Sequence, residues 1–226
     1  MEIIPGLHRV PSLRRANAYL VLGDWLTLVD AGMPGDVEAI LKAIKDLGRK
    51  SADLTQIIVT HHHADHTGGV AALNAWSGAE VLAHPADVPY IRGELSRPLP
   101  KHFLLRTLFR LMRTRSHSGA APVDGALEDG DRLALLGGAT VIHVPGHSPG
   151  SIVLHLPADG VLISGDAIIV QGGRPVPPPR FFSQDPEEAE AAARRLAALD
   201  FEILCPGHGE PIIGRAAGHL RATLDQ

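Results

Sequence analysis

Cysteine is almost absent from this sequence: Cys205 is the only one in 226 residues. That excludes an internal disulfide and a zinc knuckle built on several thiolates. Long apolar runs are lacking too, since none approaches the roughly 18 residues of a membrane span. The opening Met1-Glu2-Ile3-Ile4-Pro5-Gly6 has neither the basic start nor the apolar stretch of a signal peptide, so a cytoplasmic location is expected. There is no basic surplus: 21 Lys and Arg against 25 Asp and Glu leave a net charge of −4, so bulk charge calls for no nucleic acid. The remaining composition, 45% hydrophobic and 20% charged, is that of an ordinary globular protein able to bury a substantial core.

Short apolar runs come first, Leu7 to Val10, Ala16 to Leu22 and Trp25 to Val29, with Gly23-Asp24 as a hairpin turn between the last two. Val37, Ile40, Leu41, Ile44 and Leu47 recur at helical spacing, and Gly48 closes that helix. A strand over Gln56 to Val59 leads into a histidine cluster and a helix running to Trp76. Val81-Leu82-Ala83 reads as a further strand ending in His84-Pro85. From 95 to 118 the character changes: Arg97, Lys101, Arg106, Arg110, Arg113 and Arg115 occur without one acidic residue. Leu104, Leu108 and Leu111 form one stripe there and the arginines another, which predicts a basic amphipathic helix. Packing on the body, a lid beside the site and a dimer or membrane surface are its three readings.

The second half has strands at Arg132–Leu136, Ala139–Val144, Ser151–Leu156, Val161–Ser164 and Phe201–Cys205. Helices are expected from Pro186 to Leu199 and from Arg215 to Leu224, and Pro175 to Pro179 as a stiff extended loop. No linker or large repeat divides the chain, so one domain over 1–226 with an insertion at 95–118 is expected.

The densest chemistry is Thr60-His61-His62-His63-Ala64-Asp65-His66. Imidazole is the commonest neutral metal ligand, and carboxylate joins it readily around zinc. Alternate side chains of an extended segment project to one side, so His61 and His63 can share an ion while His62 points away. Five apolar strands end in a candidate ligand beside a small residue: Asp30, His61–His66, Pro145-Gly146-His147, Gly165-Asp166 and Pro206-Gly207-His208. Functional loops gather at one end of a sheet, so these are expected to converge. His61, His63 and His147 then complete one site, Asp65, His66 and His208 a second, and Asp166 is free to bridge. Three protein ligands per ion leave room for a shared water, the open arrangement of a catalytic centre.

His61-His62-His63-Ala64-Asp65-His66 with Pro145-Gly146-His147, Ser164-Gly165-Asp166 and Pro206-Gly207-His208, in that order, resembles the metallo-β-lactamase superfamily. The likeness spans nearly the whole chain, Leu28-Val29-Asp30-Ala31-Gly32 included. It implies an α+β fold of the four-layer αββα sandwich type with a dinuclear metal site at its edge. The complete second set with bridging Asp166 resembles the glyoxalase II and lactonase branches, because the β-lactamases proper lack that aspartate. Ile169 stands where quorum-quenching lactonases typically carry tyrosine. The chain stops short of the C-terminal helical extension typical of glyoxalase II.

These features imply a metal-dependent hydrolase that cleaves a small ester, thioester or lactone with a hydroxide bridging two divalent ions. Zinc is expected, with iron or manganese as alternatives, and Asp65 is both a ligand and the residue that handles the proton. Rival readings are phosphodiester cleavage, β-lactamase activity and a mononuclear-iron persulfide-type dioxygenase. The expected partner is a small-molecule substrate, with a homodimer open. Asp30 is expected to hold the histidine loop by hydrogen bonds, His62 to be exposed or hydrogen-bonded, His84 to be structural, and Cys205 and Tyr19 to be packing.

Overall fold

Strands that are apolar on both faces need a covering layer on each side. The computed structural model describes residues 1–96 and 120–226, and it supplies those layers around two sheets. The first sheet runs in chain order through β1 (Glu2–Ile4), β2 (Leu7–Arg9), β3 (Tyr19–Leu22), β4 (Leu26–Val29), β5 (Leu54–Val59), β6 (Glu80–Ala83) and β7 (Gly125–Ala126). Its pairing is antiparallel up to β4 and parallel from β4 to β7. The second half contributes β8 (Arg132–Leu133), β9 (Ala139–His143), β10 (Ile152–Leu156), β11 (Val161–Gly165), a separate hairpin of β12 (Ile169–Gln171) and β13 (Arg174–Val176), then β14 (Ile203–Pro206) and β15 (Ile212–Ile213). The second sheet is ordered β15-β14-β11-β10-β9-β8, with β11 and β14 parallel.

Residue alternation sorts the strand side chains into three apolar layers. Leu28, Ile57 and Val81 pack outward with Ile40 and Ile44 of α1 (Val37–Asp46) and Leu73 of α3, which spans Val70–Ser77. Their neighbours Val29, Ile58 and Leu82 face the other way and meet Leu154, Ile163 and Cys205 of the second sheet. Val153, Leu162 and Leu204 point outward again, onto Ala193 and Leu196 of α5 (Pro186–Ala197) and Leu220 of α6 (Ala216–Leu224). The result is the αββα sandwich. Cys205 lies in the middle layer, where burial pushes its thiol far above the usual range, so it is packing rather than a nucleophile.

The single helix expected to run to Trp76 is two: α2 (Ala64–Thr67) and α3, separated at Gly68-Gly69. A Cβ on Gly68 would collide with the Pro34 ring, and one on Gly69 with the carbonyl oxygen of Ala31. The segment therefore crosses the loop after β4 in backbone contact, and only glycine permits that approach. The proline-rich stretch is not loop throughout, because it begins inside β13, with Pro175 opposite Val170 of β12. The basic helix expected between 95 and 118 lies almost wholly outside the described residues. Among the described residues no helix is long and apolar enough to cross a membrane.

Leu154 sits fully buried between the sheets. Leu154→Ala is expected to lower unfolding stability by about 2–5 kcal/mol in urea denaturation; a loss under about 1 kcal/mol would contradict a tightly packed middle layer.

Candidate metal centre

Strands β4, β5, β9, β11 and β14 all end at one edge of the sandwich, and short turns stitch their ends together. Asp30 N donates to Ile58 O (2.9 Å), Ile152 N to Thr60 O (2.9 Å) across the two sheets, and Gly207 N to Gly165 O (2.7 Å). Asn17 Nδ2 donates to the carbonyls of Pro206 (2.9 Å) and Gly209 (2.7 Å), and the Tyr19 hydroxyl to Pro206 O (2.7 Å). The turn bearing His208 is thus clamped from β3 and the residues before it.

All seven expected residues meet here, in two groups. His61, His63, His147 and Asp166 each offer a ligand atom within 4.8 Å of the others, and Asp65, His66 and His208 do the same. Asp166 joins the groups: its Oδ2 lies 3.8 Å from His61 Nε2, 3.3 Å from His147 Nε2 and 3.2 Å from His208 Nε2, and its Oδ1 lies 3.4 Å from His66 Nε2. Asp65 Oδ2 is 3.6 Å from His208 Nε2. A tetrahedron with metal–nitrogen bonds of roughly 2.0–2.1 Å has edges of about 3.3 Å. These separations are of that size. In addition, the buried Nε2 atoms of His61 and His66 and Oδ1 of Asp166 make no hydrogen bond among the described residues. Buried polar atoms aimed at one another without hydrogen bonds fit a divalent ion between them.

Two carboxylates outside this set govern orientation. Asp30 Oδ2 is 2.7 Å from His66 Nδ1, which turns Nε2 toward Asp166. Thr60 donates to Asp30 through its amide (2.8 Å) and its hydroxyl (2.7 Å), and that hydroxyl oxygen stands 3.1 Å from His61 Nδ1. With the hydroxyl proton committed to Asp30, His61 Nδ1 is the donor and its Nε2 faces inward. Asp30 therefore has the hydrogen-bonding role expected of it. Asp87 is the second carboxylate, and together with Asn17 and Thr60 it was not anticipated. The signal for Asp87 was its position just after His84-Pro85, at the end of another strand reaching this edge. His62 is buried rather than exposed, with its amide 2.8 Å from Asp87 Oδ2 and its ring stacked on Tyr90 at 4.4 Å. His84 stacks on His143 at 3.8 Å, consistent with a structural part.

A profile of the metallo-beta-lactamase superfamily matches residues 12–208. The chain belongs to the metallo-beta-lactamase superfamily. "Probable metallo-hydrolase YflN" of Bacillus subtilis (strain 168) is 30% identical over 233 residues, covering 95% of this chain and 88% of that protein. Hydroxyacylglutathione hydrolase of Cereibacter sphaeroides (strain ATCC 17025 / ATH 2.4.3) is 31% identical over 204 residues, covering 88% of this chain but 64% of that enzyme. Among solved structures, a metallo-beta-lactamase family protein from Thermus thermophilus superposes with a TM-score of 0.77 at 24% identity, covering 99% of this chain and 80% of that one, a likeness in fold. TTHA1623 in a di-iron-bound form gives 0.68 at 29% identity, covering 96% of each chain. With relatives named as hydrolases and a histidine–aspartate cluster of this kind, this superfamily member is a metal-dependent hydrolase that uses divalent metal.

Electrostatics in this metallo-beta-lactamase superfamily site follow from burial and charge. Burial disfavours the charged form of His61, and His66 beside it adds to this, so its pKa lies well below 6.5. Burial acts the same way on His66, but Asp30 and Asp166 outweigh it and hold the imidazole well above 6.5. Burial also works against a charged His208, yet its hydrogen bond and charge pairing with Asp166 leave it raised. Burial raises Asp166, yet His66, His147 and His208 hold it well below the usual carboxylate range.

The signs give a prediction for the metal-free protein. His61, lowered on folding, contributes stability that is present above 6.5 and lost as pH falls below it. His66 and His208, raised on folding, contribute stability that is present below 6.5 and lost as pH climbs through their folded values. Melting of the metal-free protein is therefore expected to peak near pH 6.5, with zinc abolishing the fall on the alkaline side. Stability of the metal-free protein that keeps rising from about pH 6 to 9 would contradict these assignments.

Proposed function

We propose that His61, His63 and His147 hold one divalent ion, Asp65, His66 and His208 a second, and Asp166 bridges them. The ions are zinc, and the reaction is hydrolysis of a small ester, thioester or lactone. The observation that carries this reading is Asp166, whose two oxygens reach nitrogen atoms of both groups at 3.2–3.8 Å. The relative named hydroxyacylglutathione hydrolase supports an acyl substrate.

Bound divalent ions supply Lewis acidity toward a carbonyl oxygen and bring the pKa of water toward neutrality. The chain's own residues provide the rest. His61, His63, His66 and His147 are buried, whereas the side chains of Asp65 and His208 are 25% and 32% exposed, so substrate enters on their side. Asp65 Oδ2, on that open side, accepts the proton that the attacking water gives up. Asp30 keeps His66 Nδ1 engaged and its Nε2 directed inward, so the imidazole does not turn during the reaction. The buried imidazoles and the packed middle layer close the opposite side to water.

Zinc-replete protein is expected to hold two ions per chain by elemental analysis, and Asp166→Ala to lose one more readily than the other. It is expected to cleave members of an ester, thioester and lactone panel, with Asp65→Asn lowering kcat by about 10²- to 10⁴-fold, the span of positioned proton transfer. Turnover of bis-p-nitrophenyl phosphate alone would move the reading to phosphodiesters. A single iron with no hydrolysis would overturn it.

A further inference from the structure

Asp87 reaches the same edge from the loop after β6, and it is 1% exposed. Its Oδ2 accepts from His62 N (2.8 Å) and Ser148 Oγ (2.7 Å) and lies 3.0 Å from His62 Nδ1, while its Oδ1 accepts from Gly150 N (2.8 Å). These donors belong to two loops. His62 stands between His61 and His63, and Ser148 follows His147 directly. A Cβ on Gly150 would come 2.7 Å from both Cβ and N of Asp87, so the second loop is pressed against the aspartate. The carboxylate is itself fixed, because Asp87 N donates to His84 O at 2.9 Å and the residue leads into α4, which spans Val88–Ile91. Ser148 Oγ is further held 2.8 Å from Ser151 Oγ, and the His62 ring lies on Tyr90.

The consequence is geometric. His63 Nδ1 and His147 Nε2 approach to 2.9 Å although 84 residues separate them. Asp87 is the side chain that grips the backbone beside both. Asp30 grips different partners, Thr60 and His66. The two carboxylates thus divide the edge, and Asp87 accepts backbone N–H groups from both loops that carry His61, His63 and His147.

We propose that Asp87 is a positioning residue for the ion held by His61, His63 and His147, setting the spacing of their two loops and hence the affinity of that position selectively. This rests on the two-ion reading above. Zinc competition against a chromophoric chelator tests it in two backgrounds, His208→Ala, which retains the three-histidine position, and His63→Ala, which retains the other. In the first, Asp87→Ala is expected to weaken zinc by about tenfold to a hundredfold, the usual range for losing a side chain that orients ligands. Asp87→Asn, which keeps an acceptor for Gly150 N, is expected to recover part of the loss, and Ser148→Ala to show a smaller loss than Asp87→Ala. In the second background every one of these changes is expected to leave zinc affinity within about threefold, well below the range seen when an orienting side chain is lost. Equal losses in both backgrounds, or none in the first, would overturn the proposal. If Asp87→Ala gives no cooperative melting transition, Ser148→Ala decides the matter, and unchanged affinity in the His208→Ala background is then the contrary result. Failure of the two-ion reading is separately visible as wild-type protein that takes up fewer than two equivalents.

Discussion

Asp166 carries its carboxylate to a place where 7% of the residue reaches solvent, with four imidazole nitrogens 3.2–3.8 Å from its oxygens. An isolated charge buried in this way costs several kcal/mol, so its surroundings have to answer it. In the metal-free protein the answer is protonic, since His66 and His208 bind protons more tightly than usual beside it. Divalent ions meet the same demand with more charge and displace those protons. Under the two-ion proposal one carboxylate organises both states; the histidines converge on it from the strands that end at this edge.

That convergence places tight limits on the backbone. A Cβ at Gly207 would strike Asp166 Oδ1 and stand 2.8 Å from His66 Cε1, so the turn bearing His208 can pass behind Asp166 only as glycine. The turn is pinned at Pro206 and Gly209 by Asn17 and at Pro206 by Tyr19, and its other flank is the parallel pairing of β11 with β14. Rigid strands thus deliver the seven clustered residues, and the hydrogen bonds of Asp30 and Asp87 tie the loops together. The open flank at Asp65 and His208 is where this rigidity ends and solvent begins.

Much of this was legible in the sequence because the strands are simple. Val59, Val144, Ser164 and Cys205 close apolar runs, and a candidate ligand follows within three residues of each end, as Asp30 follows Val29. The fold class was named from the resemblance that the ordered motifs carry to the metallo-β-lactamase superfamily. The break in the helix after Thr67 was not legible, because it depends on the closeness of Pro34 and Ala31, which are distant in sequence. The β12–β13 hairpin was signalled by Gly172-Gly173, but its strands are three residues each and too short to show a period. Asn17 was invisible for a further reason, and Asp87 was marked only by its place just after a strand end. Both act on backbone atoms far along the chain, and such partners leave no local pattern. The basic stripe from 95 to 118 was the clearest pattern outside the ligand motifs, and nearly all of it lies outside the described residues.

In the proposed centre a single buried carboxylate joins two ions. Crystals of the zinc-loaded protein, with anomalous diffraction recorded at the zinc edge, test it most directly. Two anomalous peaks about 3.5–4 Å apart are expected, the separation usual for paired catalytic ions. One is expected beside His61, His63 and His147 and the other beside Asp65, His66 and His208, with an oxygen of Asp166 bound to each. A single peak, or two peaks with Asp166 bound to neither, would contradict it.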